Sequence, residues 1–238
     1  MSFNIPRNVI LPVDTVDVRL EPGPHPFETD NSEAIRRNWL LEKAANPALF
    51  DGTVVLLSQL SYAGGRLEGR CHAVRFATFL LWRRSENVPN AEHTYAHAVL
   101  VSRDNALIAI RMGKHTINAG SVYFAAGSFE PGDFVDGVAD VDFNMIREVR
   151  EETGLDLGQV RRGRRYYALS TPSGTTIFRR YFLDADADEI AAGIRDFVAG
   201  DPDPEIEGPI VIRSQGDLPE GLKGHMPPII AWHFSGAE

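Results

Sequence analysis

Three glutamates in one short stretch of the chain could hold a metal ion. Glu148, Glu151 and Glu152 are spaced i, i+3 and i+4, so on a helix their carboxylates share one arc. Three like charges on one arc destabilise a helix unless a cation neutralises them. Carboxylate oxygens at this density suit Mg²⁺ or Mn²⁺. The alternative is a solvated acidic face, which is the common role of a glutamate-rich helix surface.

The residues around these glutamates match a known pattern. The stretch Arg147 to Leu155 reads Arg-Glu-Val-Arg-Glu-Glu-Thr-Gly-Leu. It matches the second half of the Nudix box, which ends Arg-Glu-apolar-x-Glu-Glu-x-Gly-apolar, so the chain resembles the Nudix hydrolase family. The first half departs from the pattern, because Gly127 is followed after five residues by Asp133 instead of Glu, and thirteen rather than seven residues separate Asp133 from Arg147. We expect the six extra residues to enlarge a loop and to leave the helix intact.

The resemblance implies a role for each matching residue. Glu148, Glu151 and Glu152 occupy the metal-ligand positions of the family. The carbonyl of Gly127 would add a backbone oxygen, and Arg147 would orient a helix carboxylate through an ion pair. In such enzymes divalent metals neutralise a diphosphate and activate the attacking water, while a glutamate removes the proton of that water. Which glutamate is the base stays open.

Two later acidic residues are further candidates for the base, since some family members draw it from a loop late in the fold. Glu205 and Glu207 lie in the stretch Asp201-Pro-Asp-Pro-Glu-Ile-Glu207, which is predicted to be an acidic loop. The alternative for each residue is a solvated acidic turn.

Three basic residues are the candidates for substrate binding. Arg111, Lys114 and His115 follow a predicted strand on the sequence path to Gly127. In a protein of formal net charge −9, a local basic group there would help to draw in an anionic ligand. We expect at least one of them to contact phosphate or the terminal group, with Arg111 favoured for its forked donors. The alternative is a solvated basic turn.

Other polar residues fit structural roles better. His93 and His97 have the spacing of a helical zinc pair, but their segment is predicted to be a strand and no third ligand follows. Cys71, next to a histidine in a predicted strand, is interpreted as a packing residue. The basic cluster Arg161–Arg165 is interpreted as charged surface or as the rim of a homodimer interface.

The first 88 residues are predicted to form a small N-terminal α/β extension. Its predicted elements are a helix from Ser32 to about Asn46, a β-hairpin over 53–74, and a segment over 76–83 that fits either a helix or a strand. The stretch 46–52 followed by a hairpin resembles N-terminal extensions of Nudix enzymes that act on UDP-sugars.

Residues 92–238 are predicted to form the Nudix domain, after a linker over 85–90. The predicted strands are 95–102, 106–112, 121–126, 165–170, 176–183 and 209–213. Three helices are predicted: the acidic helix, which ends before Gly154; a helix that Asp186 caps and that ends at Gly200; and a helix over 227–234. This order agrees with the mixed-sheet αβα sandwich of Nudix proteins. The predicted fold class is therefore α/β (α+β).

Composition limits the classes of partner. The chain is 43% hydrophobic and 24% charged, as is ordinary for a globular protein. The net charge of −9 argues against a nucleic-acid polymer as partner, and no apolar run is long enough to span a bilayer. One cysteine and an N-terminus without the form of a signal peptide predict a cytoplasmic protein. The resemblance to the Nudix family implies a small molecule, a nucleoside diphosphate derivative, as its partner.

The resemblance to the Nudix family, together with these patterns, implies a Mg²⁺-dependent pyrophosphohydrolase. The expected substrate is a nucleoside diphosphate linked to another group, with a sugar favoured. The alternative is a catalytically silent Nudix module that binds a nucleotide as a sensor or scaffold. The intact glutamate trio counts against this alternative, because a protein without catalysis has no need to keep mutually repelling carboxylates together.

Overall fold

The computed structural model describes residues 2–86 and 88–236. By contacts the chain forms two compact units. The first contains Met1–Tyr95, Ser128–Val141 and Ser170–Thr175, and the second contains Ala96–Gly127, Asp142–Leu169 and Thr176–Glu238. The division predicted at residues 88–92 stays a prediction, and one residue of the predicted linker, Asn87, lies outside the described residues. No helix in the described part of the chain is long and apolar enough to cross a membrane.

The expected mixed α/β fold is confirmed. The strands are β1 (Phe3–Asn4), β2 (Ile10–Val13), β3 (Thr15–Glu21), β4 (Thr53–Ala63), β5 (Arg66–Arg75), β6 (Thr94–Val101), β7 (Leu107–Met112), β8 (Val122–Tyr123), β9 (Phe134–Val135), β10 (Val138–Ala139), β11 (Arg161–Arg162), β12 (Tyr166–Thr171), β13 (Gly174–Phe182) and β14 (Ile206–Ile212). The helices are α1 (Pro26–Asp30), α2 (Ser32–Ala45), α3 (Phe76–Arg84), α4 (Val141–Thr153), α5 (Ala187–Gly200) and α6 (Met226–Phe234).

The first unit is organised around the hairpin of β4 and β5. Its sheet has the order β1-β4-β5-β3-β10-β9, in which β3 runs parallel to β5 and β4 runs antiparallel to it. The predicted helix at 32–45 and the predicted hairpin are confirmed, and the undecided segment after the hairpin is helix α3. This helix contributes Phe79 to an apolar cluster with Val54, Leu56 and Val74, which explains why its sequence is apolar on more than one side.

The extra residues between the two halves of the motif form a small hairpin. Strands β9 and β10 pair with each other, and Val138 of β10 pairs with Arg19 of β3. Asp136 and Gly137 join the strands with φ values of 51° and 76°, the combination that a two-residue type I′ turn requires. The insertion therefore adds two strands to the edge of the first sheet and leaves the following helix uninterrupted.

The second unit has a sheet of order β14-β7-β6-β13-β12, with β8 paired to β7 and β11 paired to β13. Almost every residue of β6 and β7 is buried, so both faces of these strands are covered. Strand β14 begins at Ile206, whereas the sequence predicted a start at Pro209. The earlier start was missed because a β-bulge between Ile206 and Gly208 interrupts the regular alternation.

Alternating residues of β13 locate two helices on opposite faces of this sheet. Tyr181 donates a hydrogen bond to Asp142 of α4 over 2.9 Å, whereas the ring of Phe178 lies 5.3 Å from that of Trp232 in α6. Residues an odd number of positions apart on a strand point to opposite faces. Helices α4 and α6 therefore sandwich the sheet, as the predicted αβα arrangement requires.

Candidate active site

The three glutamates of helix α4 differ in how far they are exposed to solvent. Met145 and Val149 are fully buried and fix which side of the helix faces the core. Glu152 is 7% exposed as a residue, while the side chains of Glu148 and Glu151 are 13% and 59% exposed. The three carboxylates thus extend from the interior to the solvent along one arc of the helix.

Gly154 ends the helix as predicted. Its φ of +74° is the left-handed conformation of a C′ glycine, and its N–H donates to the carbonyl of Arg150 over 3.0 Å. A Cβ at this position would collide with the ring of Phe197 from α5. The glycine is therefore needed both for its backbone conformation and for the close approach of α5.

Arg147 lies between two of the carboxylates. Its Nη2 is 2.8 Å from Oε1 of Glu148, and its Nη1 donates to Oε2 of Glu151 over 3.0 Å. The guanidinium fork therefore restrains both side chains and offsets part of their mutual repulsion. This geometry fits the orienting role that the motif implies.

The loop before the helix is held against the same carboxylates. Ala126 donates its backbone N–H to Oε2 of Glu152 over 3.0 Å. At Gly127, an added Cβ would overlap the carboxyl group of Glu148. Only glycine allows this approach, so the backbone at Gly127 lies directly beside the carboxyl group of Glu148. The amide of Ala126 is a site group that the sequence did not reveal, since every residue type supplies it.

Glu152 is in an environment that opposes its negative charge. Burial raises the pKa of the Glu152 carboxyl well above its ordinary value, and the nearby charges of Glu148, Glu205 and Glu151 raise that pKa further. The hydrogen bond from Ala126 acts in the opposite direction. Converging negative charge of this kind favours a bound cation.

Of the two late acidic residues, Glu205 is brought towards the helix. Its carbonyl accepts the N–H of Gly113 over 2.8 Å at the end of β7, and its charge acts on the pKa of Glu152. Glu207 lies within strand β14, with an exposed side chain. The sequence assigned both residues to a loop, and for Glu207 that assignment was wrong because pairing with β7 begins at Ile206.

The three predicted substrate-binding residues have different surroundings. Arg111 donates from Nη1 to the carbonyl of Gly120 over 3.0 Å and from Nη2 to that of Glu220 over 3.2 Å, so its fork holds two backbone segments. Lys114 is exposed, and Nε2 of His115 lies 4.0 Å from Oδ1 of Asp203 in the acidic loop. These residues therefore border the loop that carries Glu205.

The histidine and cysteine residues have the surroundings of structural groups. Nε2 of His97 lies 2.9 Å from Nε2 of His225 in the interior of the second unit, and burial lowers the pKa of His225 to about 4. Nε2 of His93 lies 2.9 Å from the hydroxyl of Ser128. Burial raises the pKa of the Cys71 thiol to about 12, which makes it a poor nucleophile at neutral pH.

Asp133, the motif residue that departs from glutamate, is used within its own turn. It is 1% exposed, and its Oδ2 accepts the N–H of Glu130 over 2.9 Å in a capping box. The shorter aspartate side chain suits this local bond, which holds the turn that precedes β9.

The donor set fits a hard divalent cation. Glu148, Glu151, Glu152 and the carbonyl of Gly127 offer only oxygen, the ligand type that Mg²⁺ and Mn²⁺ prefer. Within residues 2–86 and 88–236, no group of three or more His, Cys, Asp or Glu side chains is arranged closely enough to enclose a metal ion. The glutamates therefore gather without forming a closed set of ligands, and their buried repulsion is what a cation would relieve.

Comparisons with known proteins find similarity among solved structures. No family model matches the chain, and no curated protein matches it. Among solved structures, the chain is similar to a NUDIX hydrolase from Nitrosomonas europaea at 18% identity and a TM-score of 0.32, covering 51% of this chain and 72% of that one. It is similar to a putative nudix hydrolase family member from Chromobacterium violaceum at 18% identity and a TM-score of 0.38, covering 60% and 77%.

A third similar structure, from Deinococcus radiodurans, has 14% identity and a TM-score of 0.42, covering 74% of this chain and 96% of that one. Nudix hydrolases are thus among the solved structures that the chain resembles. At these sequence identities and TM-scores, neither the substrate of a similar structure nor the role of its residues is assigned to this chain.

Proposed function

We propose that the chain is a Nudix-type pyrophosphohydrolase that depends on Mg²⁺, or on Mn²⁺ in its place. Its proposed reaction is hydrolysis of the diphosphate bond in a nucleoside diphosphate linked to another group. The observation that carries this proposal is that the charges of Glu148 and Glu205 act on the buried carboxyl of Glu152, with Gly127 against the Glu148 carboxylate. Such repulsion stabilises nothing by itself and is explained by a cation that binds there.

The proposed ligands are Glu148, Glu151, Glu152 and the carbonyl of Gly127. The bound metal would neutralise phosphate oxygens and lower the pKa of the attacking water. Arg147 keeps two of the carboxylates in fixed orientation through its bonds of 2.8 and 3.0 Å. The N–H of Ala126 holds Oε2 of Glu152 at 3.0 Å, so both ends of the cluster are oriented before a substrate arrives.

For the general base we propose Glu205. Its side chain is exposed and its charge acts on Glu152, whereas Glu207 lies in strand β14. The carboxylate of Glu205 would take the proton from the attacking water as the new phosphorus–oxygen bond forms. The bridging phosphorus–oxygen bond then breaks, which leaves a nucleoside monophosphate and a phosphorylated second group.

Substrate selection is assigned to the residues beside the acidic loop. Lys114 and His115 are the proposed phosphate contacts, because the fork of Arg111 is engaged by two carbonyl oxygens. A sugar as the second group is favoured by the resemblance of residues 46–52 and the following hairpin to extensions of UDP-sugar enzymes. A silent nucleotide-binding module is not favoured, because binding alone would not require the repelling carboxylates.

The test is a turnover assay on the full chain with Mg²⁺ and a panel of nucleotide sugars and dinucleotides. Replacing Glu152 by Gln removes one charge at nearly constant volume, and we expect a loss of about 10²-fold or more in kcat with the fold retained. Replacing the exposed Glu189 of α5 by Gln changes the net charge equally and serves as the control. Near-normal turnover of the Glu152 variant at saturating Mg²⁺ would refute the assignment.

A further inference from the structure

Helix α2 of the first unit has polar side chains on its buried side and leucines on its solvent side. Asn38 is buried, and the side chain of Glu42, one turn later, is only 13% exposed. Leu40 and Leu41, by contrast, are 60% and 68% exposed. This is the reverse of an ordinary surface helix, whose apolar stripe faces the core and whose polar residues face solvent.

The packing of the first unit does not explain this orientation. Nδ2 of Asn38 is buried without a hydrogen-bond partner among residues 2–86 and 88–236. Oε1 of Glu42 lies 2.7 Å from Nε of Arg84 in α3. An unsatisfied amide and a largely buried ion pair both stabilise a core less than apolar side chains of similar size would. The leucines therefore face outwards for a reason other than the stability of this unit.

Exposed apolar surface continues beyond the end of the helix. Phe50 is 82% exposed and Leu41 68%, which makes them the two most exposed of the large apolar side chains in the described residues. Nζ of Lys43 donates to the carbonyls of Pro47 and Leu49, each over 2.6 Å, so the segment before Phe50 is held against α2. A ring presented by a segment that is already ordered loses little conformational freedom when a partner covers it.

The solvent side of α2 complements a reversed copy of itself. We call Arg37, Leu40, Leu41 and Ala44 the α2 outer face; their spacing of i, i+3, i+4 and i+7 places them on one stripe. If a second α2 runs antiparallel and the leucines of both helices meet at the centre, Arg37 lies opposite Ala44 of the other copy. The small alanine leaves room for the apolar stem of the arginine. The guanidinium group then lies near the C-terminal end of the other helix, Ala45, where the macrodipole favours a cation.

We propose that the chain forms a reversible homodimer in which the α2 outer faces of two copies pack against each other antiparallel. A two-fold axis is the commonest symmetry of homo-oligomers, and it lets one surface serve both copies. Helix α2 has 14 residues and is therefore about 21 Å long. Two helices of this length bury less than the about 1,200 Å² at which standard interfaces begin, so we expect a weak dimer and not a permanent one.

An anionic membrane suits the α2 outer face less well than a second copy does. Apolar residues with arginines beside them are also typical of helices that lie on lipid. Arg36, however, pairs with Glu33 over 2.8 Å, which offsets its charge, and the chain has a net charge of −9. A negative lipid surface would repel such a chain over most of its area. Contact between two leucine pairs needs no net positive charge.

Sedimentation velocity of the full chain, over concentrations up to about 200 µM, is the test. We expect a monomer–dimer equilibrium with a Kd of about 1–50 µM. Leu41→Glu should raise this Kd by about 100-fold or more, because two like charges would then meet in an apolar contact near the two-fold axis. Val135→Glu is the matched control, since Val135 of β9 is 61% exposed and the substitution adds the same charge; its Kd should stay within about twofold.

A mixture of two variants tests whether the partner is a second copy. Leu41→Lys alone should be as weakly dimeric as Leu41→Glu, for the same reason. An equimolar mixture of the two should dimerise again, because opposite charges then meet near the axis. Melting curves of both variants should match that of the unmodified chain, since the side chain of Leu41 is exposed.

Any of four results would overturn the proposal. The unmodified chain could be entirely monomeric at about 200 µM. Leu41→Glu and Val135→Glu could change the Kd equally, which would place the interface elsewhere. The mixture of Leu41→Glu and Leu41→Lys could stay monomeric. The unmodified chain could bind vesicles of equal parts phosphatidylcholine and phosphatidylserine and lose that binding in Leu41→Glu, which would make a membrane the partner. These measurements need no metal, nucleotide or turnover, so their failure is distinct from failure of the proposed reaction.

Discussion

Replacing Gly127 by Ala tests the geometry at the centre of the proposed site. A Cβ built at this position overlaps the carboxyl group of Glu148. The backbone at Gly127 is not in the left-handed region, so alanine has no conformational strain there and the contact alone decides the outcome. Because the clashing atoms are the end of a flexible side chain, we expect Glu148 to swing away while the backbone keeps its path.

The magnitude follows from what Glu148 loses when it moves. Overfilling a packed site costs about 1–3 kcal/mol in unfolding free energy, and a side chain that can move puts the expected value near the low end, about 1 kcal/mol. The displaced carboxylate also loses its 2.8 Å contact with Arg147 and its place among the proposed metal ligands. Disturbing the support of a metal ligand lowers affinity for the metal by about 10–100-fold, and turnover should fall in proportion at low Mg²⁺.

The assay is a Mg²⁺ titration of turnover combined with melting curves. Gly132→Ala is the control, since nothing lies within 4 Å of a Cβ built there and its backbone is also outside the left-handed region. We expect the control to change unfolding free energy by no more than about 0.5 kcal/mol and to leave the Mg²⁺ dependence unchanged. If Gly127→Ala has the same Mg²⁺ dependence as the control, the contact between Gly127 and Glu148 has no part in metal binding.

Three further predictions follow from the surroundings of particular residues. Arg111→Ala should lower the unfolding free energy by about 1–3 kcal/mol, because it leaves two backbone carbonyls without their donor. Lys114→Ala should raise KM and leave the melting temperature unchanged. The reverse pattern would indicate that Arg111, and not Lys114, contacts the substrate. The lowered pKa of His225, about 4, means that the unfolded chain takes up the proton first as pH falls, so stability present above about pH 6.5 is lost towards pH 4. Between pH 7 and pH 5 His225 should contribute about 2 kcal/mol to the loss of stability in urea unfolding, so the loss should be smaller by about that amount in His225→Asn. Limited proteolysis should cut first within 85–90, and a first cut within α4 would contradict the predicted linker.

The acidic helix and its glycine could be predicted because their signals are local. The spacing of Glu148, Glu151 and Glu152 predicts that they share one side of a helix. Gly154 could be predicted to end that helix because a C′ residue adopts the left-handed backbone conformation that glycine favours. The β4–β5 hairpin is equally local, since a β-branched run is followed by two glycines and a second strand. Each of these features is indicated by residues that are neighbours in the sequence, within the reach of periodicity and turn signals.

Features that depend on distant partners were not predicted. The fork of Arg111 reaches the carbonyl of Glu220, and no pattern near Arg111 indicates that partner. Helix α3 could not be separated from a strand, because Phe79 packs into a core assembled from β4 and β5. The side chain of Asp186, which was expected to cap α5, makes no capping hydrogen bond and pairs instead with Arg103 over 2.7 Å. A longer-range ion pair competed for the same carboxylate.

The hairpin formed by β9 and β10 limits how freely this protein could be divided or recombined. Strand β10 belongs to the first sheet through β3, and one residue, Asp140, separates its end from the start of α4. A chain begun at residue 92 would keep the hairpin but remove the strand on which it pairs. The start of α4 is therefore tied through β10 to strand β3. If helix α4 were grafted into another protein, the graft would have to include β3 or supply another strand for β10 to pair with.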